Sequence, residues 1–202
     1  MHPEARHFME FVRSHMPNFF KESMVLDVGS GDINGNNRYL FDKSCHYIGN
    51  DVAAGANVDV VCRTSALSFP DETFGTIVST ECFEHDPEWD QSLKKIVALL
   101  KPGGLFAFTC ASTGRGEHGT RRTSPENSFG SKGGVETWQD HYRNLDTNDL
   151  EKTIPLADNF SQFAAYYNAK MKDLYFWGIK KGGETPPQIP PIYTASACTQ
   201  TA

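Results

Sequence analysis

With 202 residues, 39% of them hydrophobic and 14 of them Phe, the chain has apolar material for one domain with a substantial core and too little length for two. A formal net charge of −6 argues against a whole surface that binds nucleic acid; with no apolar run of spanning length, and charges and histidines through residues 1 to 22, a cytoplasmic protein with no membrane partner is expected. The five cysteines, Cys45, Cys62, Cys82, Cys110 and Cys198, make no Cys-x-x-Cys pair, so free thiols and no structural metal are expected.

In chain order, Phe8, Phe11, Val12 and His15 recur at helical spacing and predict a helix over residues 3 to 16, ended by Pro17. Strands are expected at 24 to 28, at 46 to 50 and at 58 to 61, with a helix or helical turn near 35 to 41 after the first. Phe74 to Ser79 reads as a fourth strand. Asp86 then caps a helix with Pro87 in its first turn; Trp89, Leu93, Ile96, Val97 and Leu100 mark one face of it until Pro102-Gly103 stops it. Leu105 to Cys110 is a fifth strand. Residues 111 to 145 form a long irregular connection, Asp146 to Pro155 a helix, and Phe160 to Tyr167 with Leu174 to Ile179 a terminal hairpin. From Gly182, Pro186, Pro187, Pro190 and Pro191 precede a Ser/Thr/Ala run with little apolar content, so residues 182 to 202 are expected to be a flexible tail behind a domain of residues 1 to 181. Strands alternating with helices imply an α/β fold: a doubly wound, mostly parallel sheet with helices on both faces.

The segment Val25-Leu26-Asp27-Val28-Gly29-Ser30-Gly31-Asp32-Ile33-Asn34-Gly35 carries the chemistry. An apolar strand ends in an acid and breaks into glycines, which let the backbone turn sharply and approach a ligand. A bare Gly-x-Gly also serves dinucleotide enzymes. Asp27, however, would place a carboxylate beside a pyrophosphate, and a cationic ligand such as S-adenosylmethionine, with its ammonium and sulfonium groups, suits the position better.

The order of segments extends this signal. The loop is followed by His46-Tyr47-Ile48-Gly49-Asn50-Asp51, Val58-Asp59-Val60-Val61, Leu67 to Phe74, Ile77 to His85 and Leu99-Leu100-Lys101-Pro102-Gly103-Gly104-Leu105. Over roughly residues 24 to 110 the chain resembles a small, single-domain class I S-adenosylmethionine-dependent methyltransferase. The resemblance implies a Rossmann-like, seven-stranded sheet closed by an antiparallel hairpin. It also implies S-adenosylmethionine as cofactor, with S-adenosylhomocysteine as product. Cofactor contacts then fall to Asp27, Gly29, Ser30, Gly31, Asp51, Val52, Ser65, Ala66, Leu67 and Glu81. Asp51 would accept both ribose hydroxyls, a task suited to two acceptor oxygens, or else start a turn. Asp27 would meet the cofactor or its loop, or else cap a turn. Ser65, Ala66 and Leu67 would meet the adenine edge. The chain departs from the pattern at Ile33, where relatives carry a third glycine; at Arg63, where an adenine-reading aspartate is common and which cannot accept a hydrogen bond; and at Gly75.

His85 is a candidate proton acceptor and Glu84 a loop tie; both follow the fourth strand at the carboxyl edge of the sheet. The acceptor site is expected in residues 111 to 145, with His118 and His141 as further catalytic candidates within a polar set that includes Asp140, Tyr142, Arg143 and Asn144. Alternatively, Trp138 and Tyr142 pack under the lid while Arg143 pairs with a carboxylate. Arg115, Arg121, Arg122 and Lys132, set against Glu117 and Glu126, suggest an acidic acceptor. The expected activity is methyl transfer to an oxygen or nitrogen of a small-molecule or glycan-like acceptor. The alternatives are a cofactor-binding protein without catalysis, and a nucleotide-dependent oxidoreductase using Gly29, Gly31 and Gly35 with Asp51 on the ribose.

Overall fold

Eight strands form one sheet in the computed structural model, which describes residues 1–184, 190–194 and 198–201. They are β1 (Met24–Val28), β2 (His46–Asp51), β3 (Val60–Val61), β4 (Phe74–Thr80), β5 (Leu100–Ala111), β6 (Phe160–Asn168), β7 (Asp173–Lys180) and β8 (Cys198–Gln200). Their order is β3-β2-β1-β4-β5-β7-β6-β8. The first five run parallel, whereas β7 is antiparallel to β5 and to β6, and β8 is antiparallel to β6.

Alternation along the strands builds two cores. Leu105 and Ala107 face one side of β5, with Val78, Tyr175 and Trp177, under Phe8, Met9 and Val12 of helix α1 (Pro3–His15). Phe106 and Phe108 face the other, with Ile77 and Phe176. Leu93 and Ile96 of α2 (Trp89–Leu99) and Leu150 of α4 (Thr147–Thr153) complete that core. Two further short helices, α3 (Phe129–Lys132) and α5 (Leu156–Asn159), lie in the connection after β5 and just before β6.

Local hydrogen bonds explain most departures from expectation. Of the helix or helical turn expected near 35 to 41, the shorter form is present, the 3-10 turn Arg38–Leu40. Asp32 Oδ1 accepts from Gly35 N at 2.8 Å, its Oδ2 accepts from Asn36 Nδ2 at 2.6 Å, and Gly35 has φ +113°, so the side chain competes with helical backbone bonding. Asp86 is not the cap of α2: its carboxylate accepts from Glu88 N at 2.8 Å and Ser92 Oγ at 2.6 Å. Pro102-Gly103 lies inside β5 rather than ending α2, near a register shift against β4. Gly75 abuts Ser23, whose Oγ would lie 2.7 Å from a Cβ there, a local packing role. All five cysteines are unpaired, and no helix among the described residues is long and apolar enough to cross a membrane.

The described part of the tail is not free. Tyr193 packs against Phe8, Phe11, Tyr166 and Tyr175 with ring centroids 4.9 to 6.3 Å apart, and Cys198–Gln200 adds the eighth strand. Low mean apolar content missed this because one aromatic ring and three residues with edge hydrogen bonds suffice to dock a segment. Residues 185–189, with Pro186 and Pro187, and residues 195–197 and 202 of the expected tail lie outside the described residues. Truncating Tyr193→Ala should lower stability by ~3 kcal/mol in urea unfolding, as for other buried aromatics; an unchanged midpoint would mean that the tail does not dock.

Candidate active site

The chain turns at the carboxyl edge of β1. Gly29 takes φ +68°, and a Cβ there would lie 2.3 Å from Cys82 Sγ. The loop is then stitched to the end of β2: Ser30 N donates to Asn50 O at 3.0 Å, Ser30 Oγ to Asn57 O at 2.7 Å and Gly31 N to Asp51 Oδ2 at 3.0 Å. Gly31 lies under the Phe129 ring, which would be 2.5 Å from a Cβ at that position. Loop, strand ends and the segment after β5 enclose a cleft of about 230 Å³.

Asp27, Gly29, Ser30, Gly31, Asp51, Val52, Glu81, His85 and His118 all line this cleft. Ser65, Ala66 and Leu67 do not. Ser65 Oγ donates to Glu88 at 2.5 Å, Ala66 is exposed, and Leu67 is in the core. Thr64 lines the cleft instead, its hydroxyl donating to Asn50 Oδ1 at 3.0 Å. Arg63 bonds Glu88 at 2.8 Å and sits 5.3 Å from the Trp138 ring centroid, so it clamps the cleft's aromatic wall.

The two acids are held without a cationic partner. Asp27 accepts from Asn37 Nδ2 at 3.0 Å and from the Tyr47 hydroxyl; burial raises its pKa to about 7 against the pull of those two donors. Burial likewise raises Asp51 to about 6, restrained by the backbone N–H groups of Gly31, Val52 and Ala53. Asn37 and Tyr47, which hold Asp27, carried no signal in the sequence because their role depends on where β2 and the loop meet.

A second polar cluster closes the other end. Because β7 is antiparallel to β5, it begins at the edge where the parallel strands end, and its first residue, Asp173, pairs with Ala111. His2, the N-cap of α1, reaches Asp173 at 2.8 Å and Glu81 at 3.4 Å through Nε2. Burial opposes its charge, but hydrogen bonds to Asp173 and Glu81 prevail and lift its pKa to about 10. Arg115 Nη1 donates to Asp173 Oδ1 at 2.8 Å and Met171 O at 2.6 Å. Glu81, in the left-handed region at φ +54°, accepts from Thr109 Oγ1 at 2.8 Å. Beside them, the His85 and His118 rings meet edge-on at 5.0 Å, with Tyr142 against both. Burial, with His118 nearby, depresses the His85 pKa to about 3.

Residues 26–108 match the methyltransferase domain family. That stretch of the chain is thus similar to a methyltransferase domain. It is 32% identical over 102 residues to the sterol 24-C-methyltransferase erg-4 of Neurospora crassa, a match covering 43% of this chain and 27% of that protein. The chain spans about a quarter to a third of the length of the curated relatives it matches. The methyltransferase fold is shared with the 1,6-didemethyltoxoflavin-N1-methyltransferase of Burkholderia thailandensis (TM-score 0.59, 19% identity, 89% of this chain and 79% of that one). It is also shared with a phosphoethanolamine N-methyltransferase of Haemonchus contortus (TM-score 0.59, 17% identity, 88% and 53%).

On this domain the segment after β5 forms a folded lid rather than a charged loop. Ser131 Oγ donates to Gly119 O at 2.6 Å and Arg121 N to Gln139 O at 2.8 Å. Arg121 pairs with Asp140, Arg122 bonds Glu117 at 2.9 Å, and Lys132 lies 5.7 Å from the Phe129 ring centroid. Of the four basic residues, Arg115 alone lines the cleft, and it is ion-paired. Trp138 is buried and Arg143 bonds Asp149 at 2.6 Å, which is the packing alternative. His141 is off the cleft, and Tyr142 of the same segment touches the histidines instead.

A carboxyl whose folded pKa lies above its unfolded value, as for Asp27, costs stability once the pH passes the unfolded value, and the cost levels off above the folded one. Relative to Asp27→Asn, the wild-type domain should therefore lose stability as pH rises from ~4 to ~8, falling by ~1.4 kcal/mol per pH step of one between the unfolded and folded values. Urea titrations at several pH values test this; a pH-independent difference would contradict the perturbed carboxyl.

Proposed function

We propose that the domain binds S-adenosylmethionine in this cleft and transfers its methyl group to an oxygen or nitrogen of a small polar or glycan-like acceptor. The observation that supports this above all is the pair of buried carboxylates, Asp27 and Asp51, at the ends of adjacent strands beneath a glycine loop that leads into no α-helix. A pyrophosphate would face two acids with no helix N-terminus to hold it, whereas a cofactor carrying ammonium and sulfonium groups gains from the same field. This weighs against the nucleotide-dependent oxidoreductase.

In this reading Asp51 accepts from the ribose hydroxyls with the lone pairs left beside its backbone donors. Asp27 supplies negative charge near the methionine ammonium, and Thr64 and Trp138 flank the adenine. The acceptor's lone pair forms the new bond to the methyl carbon while the carbon–sulfur pair returns to sulfur, leaving the neutral thioether. The acceptor's O–H or N–H proton passes to a base or to water. Closure by the lid aligns the reactants and excludes water, which supplies most of the rate. His85, uncharged and deeply packed, orients rather than titrates, whereas the half-buried His118 is better placed to take a proton.

Sterol C-methylation is the second reading, favoured by the identity to sterol 24-C-methyltransferases. The acceptor end is lined by His2, Glu81, Arg115 and His118, charged and polar groups that an apolar skeleton would desolvate without offering a hydrogen bond in return, so a polar acceptor fits better.

Calorimetry with S-adenosylhomocysteine should show binding that weakens by about 100-fold in Asp51→Ala, the loss of two hydrogen bonds to a charged acceptor. Folded wild type that does not bind it, or binding indifferent to the substitution, would sink the proposal. A labelled-methyl screen of hydroxyl, amine and sterol acceptors then separates the two readings by which class becomes labelled.

A further inference from the structure

We propose that Glu84, His85 and His118 bind a divalent transition-metal ion at the acceptor end of the cleft. Each offers a ligand atom, and the three atoms lie within 4.8 Å of one another, a spacing a single ion can bridge. The group also leaves polar atoms without partners. Glu84 is fully buried, and its carboxylate finds no side-chain donor and no well-formed hydrogen bond, with only the backbone of Glu84 and Ala111 close by; His85 Nδ1 is buried and without a partner. Such groups are costly when left unmet, and native interiors leave few of them, so three poorly met atoms on adjacent residues at a cleft wall call for a common partner.

The surroundings hold the ligands in place. Glu84 and His85 belong to the 3-10 turn Phe83–His85 directly after β4, a rigid exit from the sheet. His118 arrives from the lid, its Nδ1 3.1 Å from Gly116 O, an orientation that leaves Nε2 as the basic nitrogen. The lid backbone presses close: a Cβ at Gly119 would lie 2.6 Å from His85 Cε1, so only glycine lets His118 approach His85. The neighbouring trio of His2, Glu81 and Asp173 differs, because its members are ion-paired among themselves, with His2 Nε2 2.8 Å from Asp173 and 3.4 Å from Glu81, and Arg115 adds a further cation on Asp173.

Two imidazoles with one carboxylate select Zn²⁺, Co²⁺, Fe²⁺ or Mn²⁺ over Mg²⁺ or Ca²⁺, and three protein ligands leave positions open toward the cleft. An acceptor with two adjacent oxygens, such as a vicinal diol or hydroxy acid, could occupy them. Metal binding does not require the methyl-transfer reading; only this use of the ion rests on it, and with the ion on His118 Nε2 the acceptor's proton passes to water rather than to that histidine. The expectation of no structural metal was an argument from cysteine spacing, and none of these ligands is a cysteine.

Tag-free protein spanning residues 1–202 should be titrated with Co²⁺ in the absence of cofactor and acceptor, following visible d–d absorption and equilibrium dialysis. Stoichiometric binding is expected, weakened by about tenfold or more in His118→Ala and in Glu84→Gln and unchanged in His2→Ala. No stoichiometric Co²⁺, or equal affinity in His118→Ala, overturns the site. His118 lies on the lid outside both cores, so that variant decides the matter even where Glu84→Gln fails to fold. S-adenosylhomocysteine calorimetry on the same sample separates the outcomes: cofactor binding without Co²⁺ removes the metal alone, and loss of both removes the cofactor reading too.

Discussion

The placement of β1 between β2 and β4, parallel to both, governs the rest of the molecule. Successive strands are added on one side of β1 and then on the other, so the chain leaving Val28 must cross the carboxyl edge just where the connections diverge. Open α/β sheets bind ligands at such reversals because no connection covers the gap. Here the gap receives Gly29 and Gly31 from β1, Asp51 from β2 and Glu81 from β4, and only residues without a Cβ allow Cys82 and Phe129 to come so near.

This architecture works against stability at the site. Asp27 and Asp51 are buried beside backbone and hydroxyl donors but no cation, and Asn37, Tyr47 and the β2 backbone offset only part of the desolvation. Two aromatic-rich cores, one beneath α1 and one beneath α2 and α4, provide the surplus that tolerates it. A cationic ligand would relieve the electrostatic strain and so stabilise the fold through these two carboxyls.

The lid shows how poorly charge content reports function. Arg121 and Arg122 are matched by Asp140 and Glu117 within the same segment, so their positive charge is neutralised locally. The groups that meet the cleft are instead Phe129, Trp138 and His118, with Arg115 turned onto Asp173. A mixed polar wall beside an aromatic one suits a compact acceptor held by hydrogen bonds.

The glycine loop, the acids at 27 and 51, the five parallel strands and the closing hairpin were legible from residue order, because each depends on a local requirement: a run of β-formers, a residue free of Cβ, an acid at a strand end. Which of a helix or a turn follows the loop was not, since Asp32 captures the backbone through side-chain bonds that pattern alone does not rank. Nor was the docking of Tyr193, which needs four rings contributed by three distant elements. His2 and Asp173 lie near opposite ends of the chain and meet only because an antiparallel strand starts where parallel ones finish. Backbone demands are written residue by residue, whereas the pairing of buried charges is set by strand register and by which segments share an edge, and that is decided only when the whole sheet is assembled.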